Sequence, residues 1–157
     1  MSASGESNPA DLIERLAAMP DRLDAAVAAL GAREAAASAE GWSPRELAGH
    51  LCDASRLWGG RMRRVALEER PRLPGYDQDD FVALTAYRYV PAADLARVFR
   101  ATSESLVTFL RGLSASDWQR EGIHEERGSL TVLQIAAIEA EHETEHVEQI
   151  TRLTAGA

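Results

Sequence analysis

The chain has no lysine, one cysteine, and only three each of tryptophan, tyrosine and phenylalanine. With Cys52 alone, no intrachain disulfide can form, which suits a reducing compartment. No apolar run approaches the ~18 residues that span a bilayer, so no membrane association is expected. Met1 to Ala10 is small and polar, without the apolar core of a signal peptide, and a cytoplasmic location is expected. Positive charge is also scarce. The 17 basic residues, all arginine, are outnumbered by 25 acidic ones, for a formal charge of −8. A protein so charged is repelled by phosphate backbones, which argues against a nucleic-acid partner, and its field draws in cations. Few aromatics alongside abundant alanine and leucine favour helix over strand.

An apolar fraction of 45% and 157 residues suffice for one globular domain. Residues 1–8 read as a disordered tail and residues 9–157 as that single domain. Asn8-Pro9 opens a first helix, which Pro20 is expected to interrupt or kink and Gly31 to cap. Ser43-Pro44-Arg45-Glu46 combines a capping box with proline at the first helical position. Leu47, His50, Leu51, Ala54, Leu57, Trp58 and Arg61 follow at spacings of three and four, to about Leu67. The 69–90 stretch reads as a connection with room for a short extra helix within 76–90. Pro91 opens a third long helix through Leu113, and Ser114 to Asp117 can add one turn. Residues 120–129 read as a loop, leaving His124 in a polar segment. Thr131 to Gln134 then caps a fourth helix running to about Leu153. Four amphipathic helices without alternating strands predict an all-α four-helix bundle.

The fourth helix carries an i, i+4 histidine pair, His142 and His146, one turn apart on one face. At 100° per residue, Ile135, Ile138, Gln149 and Leu153 all lie within about 40° of His142, so the pair faces inward. Burying two unpaired imidazoles is costly, and a shared cation removes the difficulty, since neutral imidazole ligates zinc, nickel, copper and iron. His50 sits in the inward stripe of the second helix and is the candidate third ligand. The expected site is one divalent ion on His50, His142 and His146. Cys52 lies about 200° around the helix from His50 and should point away.

Gly41-Trp42-Ser43-Pro44-Arg45-Glu46-Leu47-Ala48-Gly49-His50-Leu51, with Asp53 shortly after, resembles the second-helix signature of the DinB/YfiT superfamily. Gly128 to Ile150, with His142 and His146, resembles that family's second signature, and the two stand in the family's order and spacing. The resemblance implies a four-helix bundle of the DinB/YfiT-like type, a three-histidine site for nickel, zinc or a similar ion such as iron or manganese, and a homodimer. It also implies either a metal-dependent transferase joining a low-molecular-weight thiol (mycothiol or bacillithiol type) to an electrophile, or a hydrolase. The alternative from another class is a non-enzymatic metal or small-molecule binding protein.

Two other readings use the same residues. His142-Glu143-Thr144-Glu145-His146 fits the H-E-x-x-H pattern of zinc proteases, but only 11 residues follow His146, with Glu148 their one candidate ligand. Glu139-x-x-His142 and Glu143-x-x-His146 resemble half of a di-iron bundle, but no second element of that kind exists. Three histidines on one ion leave a coordination position open, which favours catalysis or ligand capture over a closed structural site. Glu139 and Glu143 are expected to be solvated, with a proton-accepting or imidazole-holding role as the alternative. Glu46 and Asp53, near His50, are candidate partners of the imidazoles. Arg56, Arg61, Arg63, Arg64, Arg70 and Arg72 are read as surface ion pairs, or else as a site for a carboxylate or phosphate. Trp58 and Tyr87 are read as core residues, or else as pocket walls, and Trp42 as a packing residue at the entrance to the second helix.

Overall fold

The structure is a computed structural model that describes residues 8–37 and 41–155. The expected disordered tail therefore lies outside the described residues apart from Asn8. Four long helices dominate: α1 (Pro9–Leu30), α2 (Pro44–Leu67), α4 (Ala92–Arg111) and α6 (Val132–Thr154). Short helices α3 (Gln78–Thr85) and α5 (Ala115–Trp118) lie in the connections, as do 3-10 turns at Gly31–Ala35 and Tyr87–Tyr89.

The starts follow local chemistry. The Asn8 side chain accepts from the Asp11 N–H at 3.0 Å, leaving Pro9 where its missing donor costs nothing. Ser43 with Glu46, and Thr131 with Gln134, close reciprocal capping boxes on α2 and α6. Both histidine-bearing helices thus begin at fixed registers.

Pro20 does not divide α1, which runs unbroken through it with the proline buried. A proline at this position cannot donate to the carbonyl of Leu16, four residues back. The Ser103 hydroxyl of α4 donates to that carbonyl instead, at 3.3 Å, and is itself buried. A neighbouring helix thus supplies the donor that the proline lacks. Ser103→Ala should destabilise the fold by about 1–3 kcal/mol, the cost of an unsatisfied buried carbonyl, read as a lowered urea midpoint. An unchanged midpoint would show that water takes over the role.

Helix α1 packs on α4 and α6, and α2 packs on the same two. Consecutive long helices α1 and α2 therefore lie diagonally across the bundle. The interior consists of two apolar clusters, one around Leu12, Leu16, Met62, Leu110 and Ile135, the other around Leu23, Leu47, Leu51, Phe99 and Ile150. The interior also holds buried polar residues, among them Ser103 on α4 and Glu139 and Glu143 on α6.

The 120–129 segment is not a plain loop. Strands β2 (Glu121–His124) and β3 (Gly128–Thr131) form an antiparallel hairpin, and β1 (Arg72–Leu73) pairs parallel to β2. Its turn closes through Gly128 at φ +74°, a left-handed conformation that glycine adopts without strain. The small sheet, in the order β1-β2-β3, places His124 opposite Leu73.

Candidate metal centre

Helices α2 and α6 face one another, and their inward stripes bring His50, His142 and His146 together. One ring nitrogen from each lies within 4.8 Å of the others. The His50 and His142 Nε2 atoms are 2.9 Å apart, and ring centroids are separated by 4.6 to 4.9 Å pairwise. His50 is buried, while His142 and His146 are partly exposed. The Trp42 ring stands 4.9 Å from His50 and covers it, so its packing role includes the histidine.

Burial is the main influence on protonation. It holds His50 down to about 3 and His142 down to about 4, with neighbouring imidazoles adding to the effect. Both rings are neutral at pH 7, the form that ligates a cation. His146 Nδ1 lies 3.0 Å from the Gln149 side-chain oxygen, which can only accept, so Nδ1 donates that bond. Gln149 thus orients a candidate ligand, and its place in the inward stripe was visible in the sequence.

Glu139 and Glu143 are not solvated. Both are fully buried on α6, and apart from each other their carboxyl groups meet no hydrogen-bond partner among the described residues. Burial raises Glu139 to about 8 and raises Glu143 as well, and the two carboxyls interact with each other. The nearest His142 nitrogen is 3.9 Å from Glu139, too far for a hydrogen bond. The Glu143 carboxyl is sealed in the bundle, whereas the pattern of a zinc protease needs it at the substrate.

The other nominated residues divide between structural and site-facing positions. Glu46 is occupied in the Ser43 capping box. Asp53 accepts a hydrogen bond from the Tyr87 hydroxyl at 2.8 Å, and the Tyr87 ring packs so tightly on Gly49 that a Cβ there would overlap it. Tyr87 is thus a packing residue that leaves no space for a side chain beside His50. Cys52 is buried and its thiol donates to the Leu95 carbonyl at 3.2 Å, away from the histidines. Burial pushes that thiol up to about 12, so it is inert at neutral pH. The arginines scatter: Arg64 pairs with Glu68, Arg63 bonds Ser105, and Arg70 approaches Glu121. Of these six, Arg61 turns into a cleft beside His142, which Arg127 also borders.

That cleft, about 380 Å³, is bounded by Trp58, Arg61, Tyr76, His124, Ile138 and His142 among others. His124 is not a residue of a polar loop: it is buried in β2 and stacked on Trp58, with centroids 5.8 Å apart and planes at 11°. It stays outside the three-histidine cluster but shares the cleft. Tyr76 and His124 went unrecognised in the sequence because each reaches the site through the sheet and its connections, not through a helical repeat.

The profile of the DinB superfamily matches residues 15–150. The chain belongs to this superfamily. One relative, from Oceanobacillus iheyensis and named by inference a metal-dependent hydrolase, is 29% identical over 113 residues. The match spans 72% of this chain and 65% of that relative, just under two thirds of its length. YfiT from Bacillus subtilis, described as a probable metal-dependent hydrolase with an unusual four-helix bundle topology, superposes with a TM-score of 0.88 at 21% identity. That superposition covers 98% of this chain and 89% of YfiT. A mycothiol-dependent maleylpyruvate isomerase superposes with a TM-score of 0.77 at 13% identity, covering 96% of this chain and 63% of the isomerase. These likenesses show the four-helix bundle fold. Among the described residues, no helix of this DinB protein is long and apolar enough to cross a membrane.

Proposed function

We propose that the protein is a metal-dependent enzyme that binds one divalent ion through His50, His142 and His146 and activates water or a low-molecular-weight thiol against an electrophile. The observation that carries this reading is the convergence of three imidazoles, drawn from two helices, at the edge of a cleft. The donor set fits such an ion. Ligand nitrogens each about 2.1 Å from one centre lie roughly 3.4 Å apart, within the span of the 2.9 Å pair and the 4.8 Å limit of the cluster. Zinc and nickel suit three imidazoles best, with iron or manganese as further candidates. When bound, the ion supplies Lewis acidity, which lowers the pKa of a water or thiol that shares it.

The chain's own residues do the remainder. Gln149 holds the His146 tautomer, Trp42 keeps water from His50, and His142 presents one edge to the cleft. Trp58, Tyr76 and Ile138 give the cleft flat and apolar walls for the body of a small substrate. A soluble cytoplasmic homodimer acting on small molecules, without nucleic acid or membrane, completes the proposal.

Elemental analysis of the purified protein should give about one first-row metal per chain. Assays with activated esters, and with epoxides or similar electrophiles plus mycothiol or bacillithiol, should show turnover that a chelator abolishes and added metal restores. Bound metal with no turnover of either class would reject the enzyme reading in favour of a metal-binding protein.

A further inference from the structure

Arg61 enters the cleft from α2 one turn after Trp58 and is 5% exposed. Its guanidinium carbon sits 4.4 Å from the centroid of the Trp58 ring. One terminal amino group donates to the Pro74 carbonyl, and the Nε–H meets no acceptor. No carboxylate among the described residues pairs with it; Glu126 and Glu139 act on it only from a distance. Buried guanidinium groups are ordinarily paired, because an uncompensated charge costs several kcal/mol to desolvate.

His124 stacks on the same Trp58 ring and lines the same cleft. The backbone N–H groups of Glu126 and Arg127 donate to His124 Nδ1 at 3.2 and 3.3 Å. Nδ1 is therefore the acceptor, and the neutral ring carries its proton on Nε2. The β2–β3 turn thus fixes a tautomer whose Nε2–H has no hydrogen-bond partner among the described residues. A single buried cation and a neutral N–H donor line one cleft, next to His142.

We propose that Arg61 and His124 form an anion subsite that takes the carboxylate of a singly charged substrate, holding its reacting group towards His142. The guanidinium supplies the counter-charge and planar donors, and the imidazole a further hydrogen bond. A carboxylate fits better than a phosphate. Glu126, Glu141 and Glu145 border the same cleft with one further cation, Arg127, so acidic groups outnumber basic ones there and oppose a second negative charge on the ligand. The direction of the reacting group rests on the proposed metal chemistry; the anion binding does not.

The test is titration of the purified protein, before and after chelation, with butyrate, its neutral isostere butyramide, and inorganic phosphate. Binding is read by calorimetry and by the indole N–H resonance of Trp58. Butyrate should bind saturably in both forms and shift Trp58 but not Trp118, and butyramide and phosphate should bind at least about tenfold more weakly. Arg61→Met should weaken butyrate by at least about tenfold, Arg61→Lys by less, and Arg64→Met not at all. Circular dichroism reports whether each variant folds, and the Trp58 shift in the unmodified protein needs no variant. Tighter binding of phosphate, equal binding of butyramide, or butyrate binding that vanishes on chelation would overturn the subsite. Neutral-ester turnover without butyrate binding would sink this proposal and leave the metal chemistry standing.

Discussion

His50→Ala is expected to bring the metal content of the purified protein from about one ion per chain to below about one tenth. His142 and His146 come from one turn of one helix, and two imidazoles leave a first-row ion mostly to solvent. His50 is the only nitrogen donor in the cluster from a different helix, so it turns a surface-type pair into an enclosed site. Outer partners of ligands alone are worth about 10- to 100-fold in affinity, and a lost ligand should exceed that. His124→Ala is the control, since it also removes a buried histidine from α2's surroundings while leaving the cluster intact. Mass spectrometry under native conditions, with circular dichroism to verify folding, separates the outcomes. Equal metal content in His50→Ala and the parent protein would refute the three-histidine site.

The second large effect concerns stability in the chelated protein. A carboxyl whose pKa is raised by folding holds its proton longer in the native state than in the unfolded chain. Stability from such a group is present at low pH and is lost as pH rises from the unfolded value towards the folded one. For Glu139 the window runs from 4.5 to about 8, and Glu143, raised in the same direction, adds to it. His50 and His142 work oppositely. Their folded values of about 3 and about 4 lie below the ordinary 6.5, so their contribution is lost as pH falls through that interval. Above pH 6.5 the pH dependence contributed by the histidines fades within about one unit and the carboxyls dominate. Unfolding free energy of the chelated protein should therefore decline between pH 6.5 and 8, by roughly 2 kcal/mol or more at 1.4 kcal/mol per unit of pH. Glu143→Gln, which removes one charge and retains the shape, should flatten the decline and raise stability at pH 8 by about 1–4 kcal/mol. Urea titrations across this range measure both; a flat profile in the parent protein would mean the carboxyls are hydrated and not sealed.

The legible parts of this fold are those decided within a turn or two of chain. Ser43 with Glu46, and Thr131 with Gln134, announce helix starts because the capping bonds span three residues. Helical phase then placed three histidines inward, since each shares a stripe with leucines or isoleucines. The same phase was available for Glu139 and Glu143, which lie with Ala136, Val147 and Ile150 on the buried side of α6. Their acidity argued for solvent, and only the packing of α6 on α1 and α2 overrules it. His124 was illegible for a different reason. Its strand is four residues long and pairs with a two-residue strand about fifty positions earlier, so no local periodicity exists to read. Continuity of α1 through Pro20 was equally hidden, because the donor that compensates it, Ser103, comes from α4.

The diagonal placement of α1 and α2 has a consequence for how the molecule is made. No long helix rests against the next long one along the chain across that first connection, so an early hairpin of α1 and α2 has nothing to bury. Helix α1 must instead wait for α4 and, last, for α6, about a hundred positions later. Contacts so remote in sequence slow the search for the native state relative to bundles with neighbouring pairs. Helix α6 also carries His142 and His146. On a ribosome, the segment that closes the interior and the segment that completes the histidine cluster therefore arrive together, and a chain stalled before Val132 has neither.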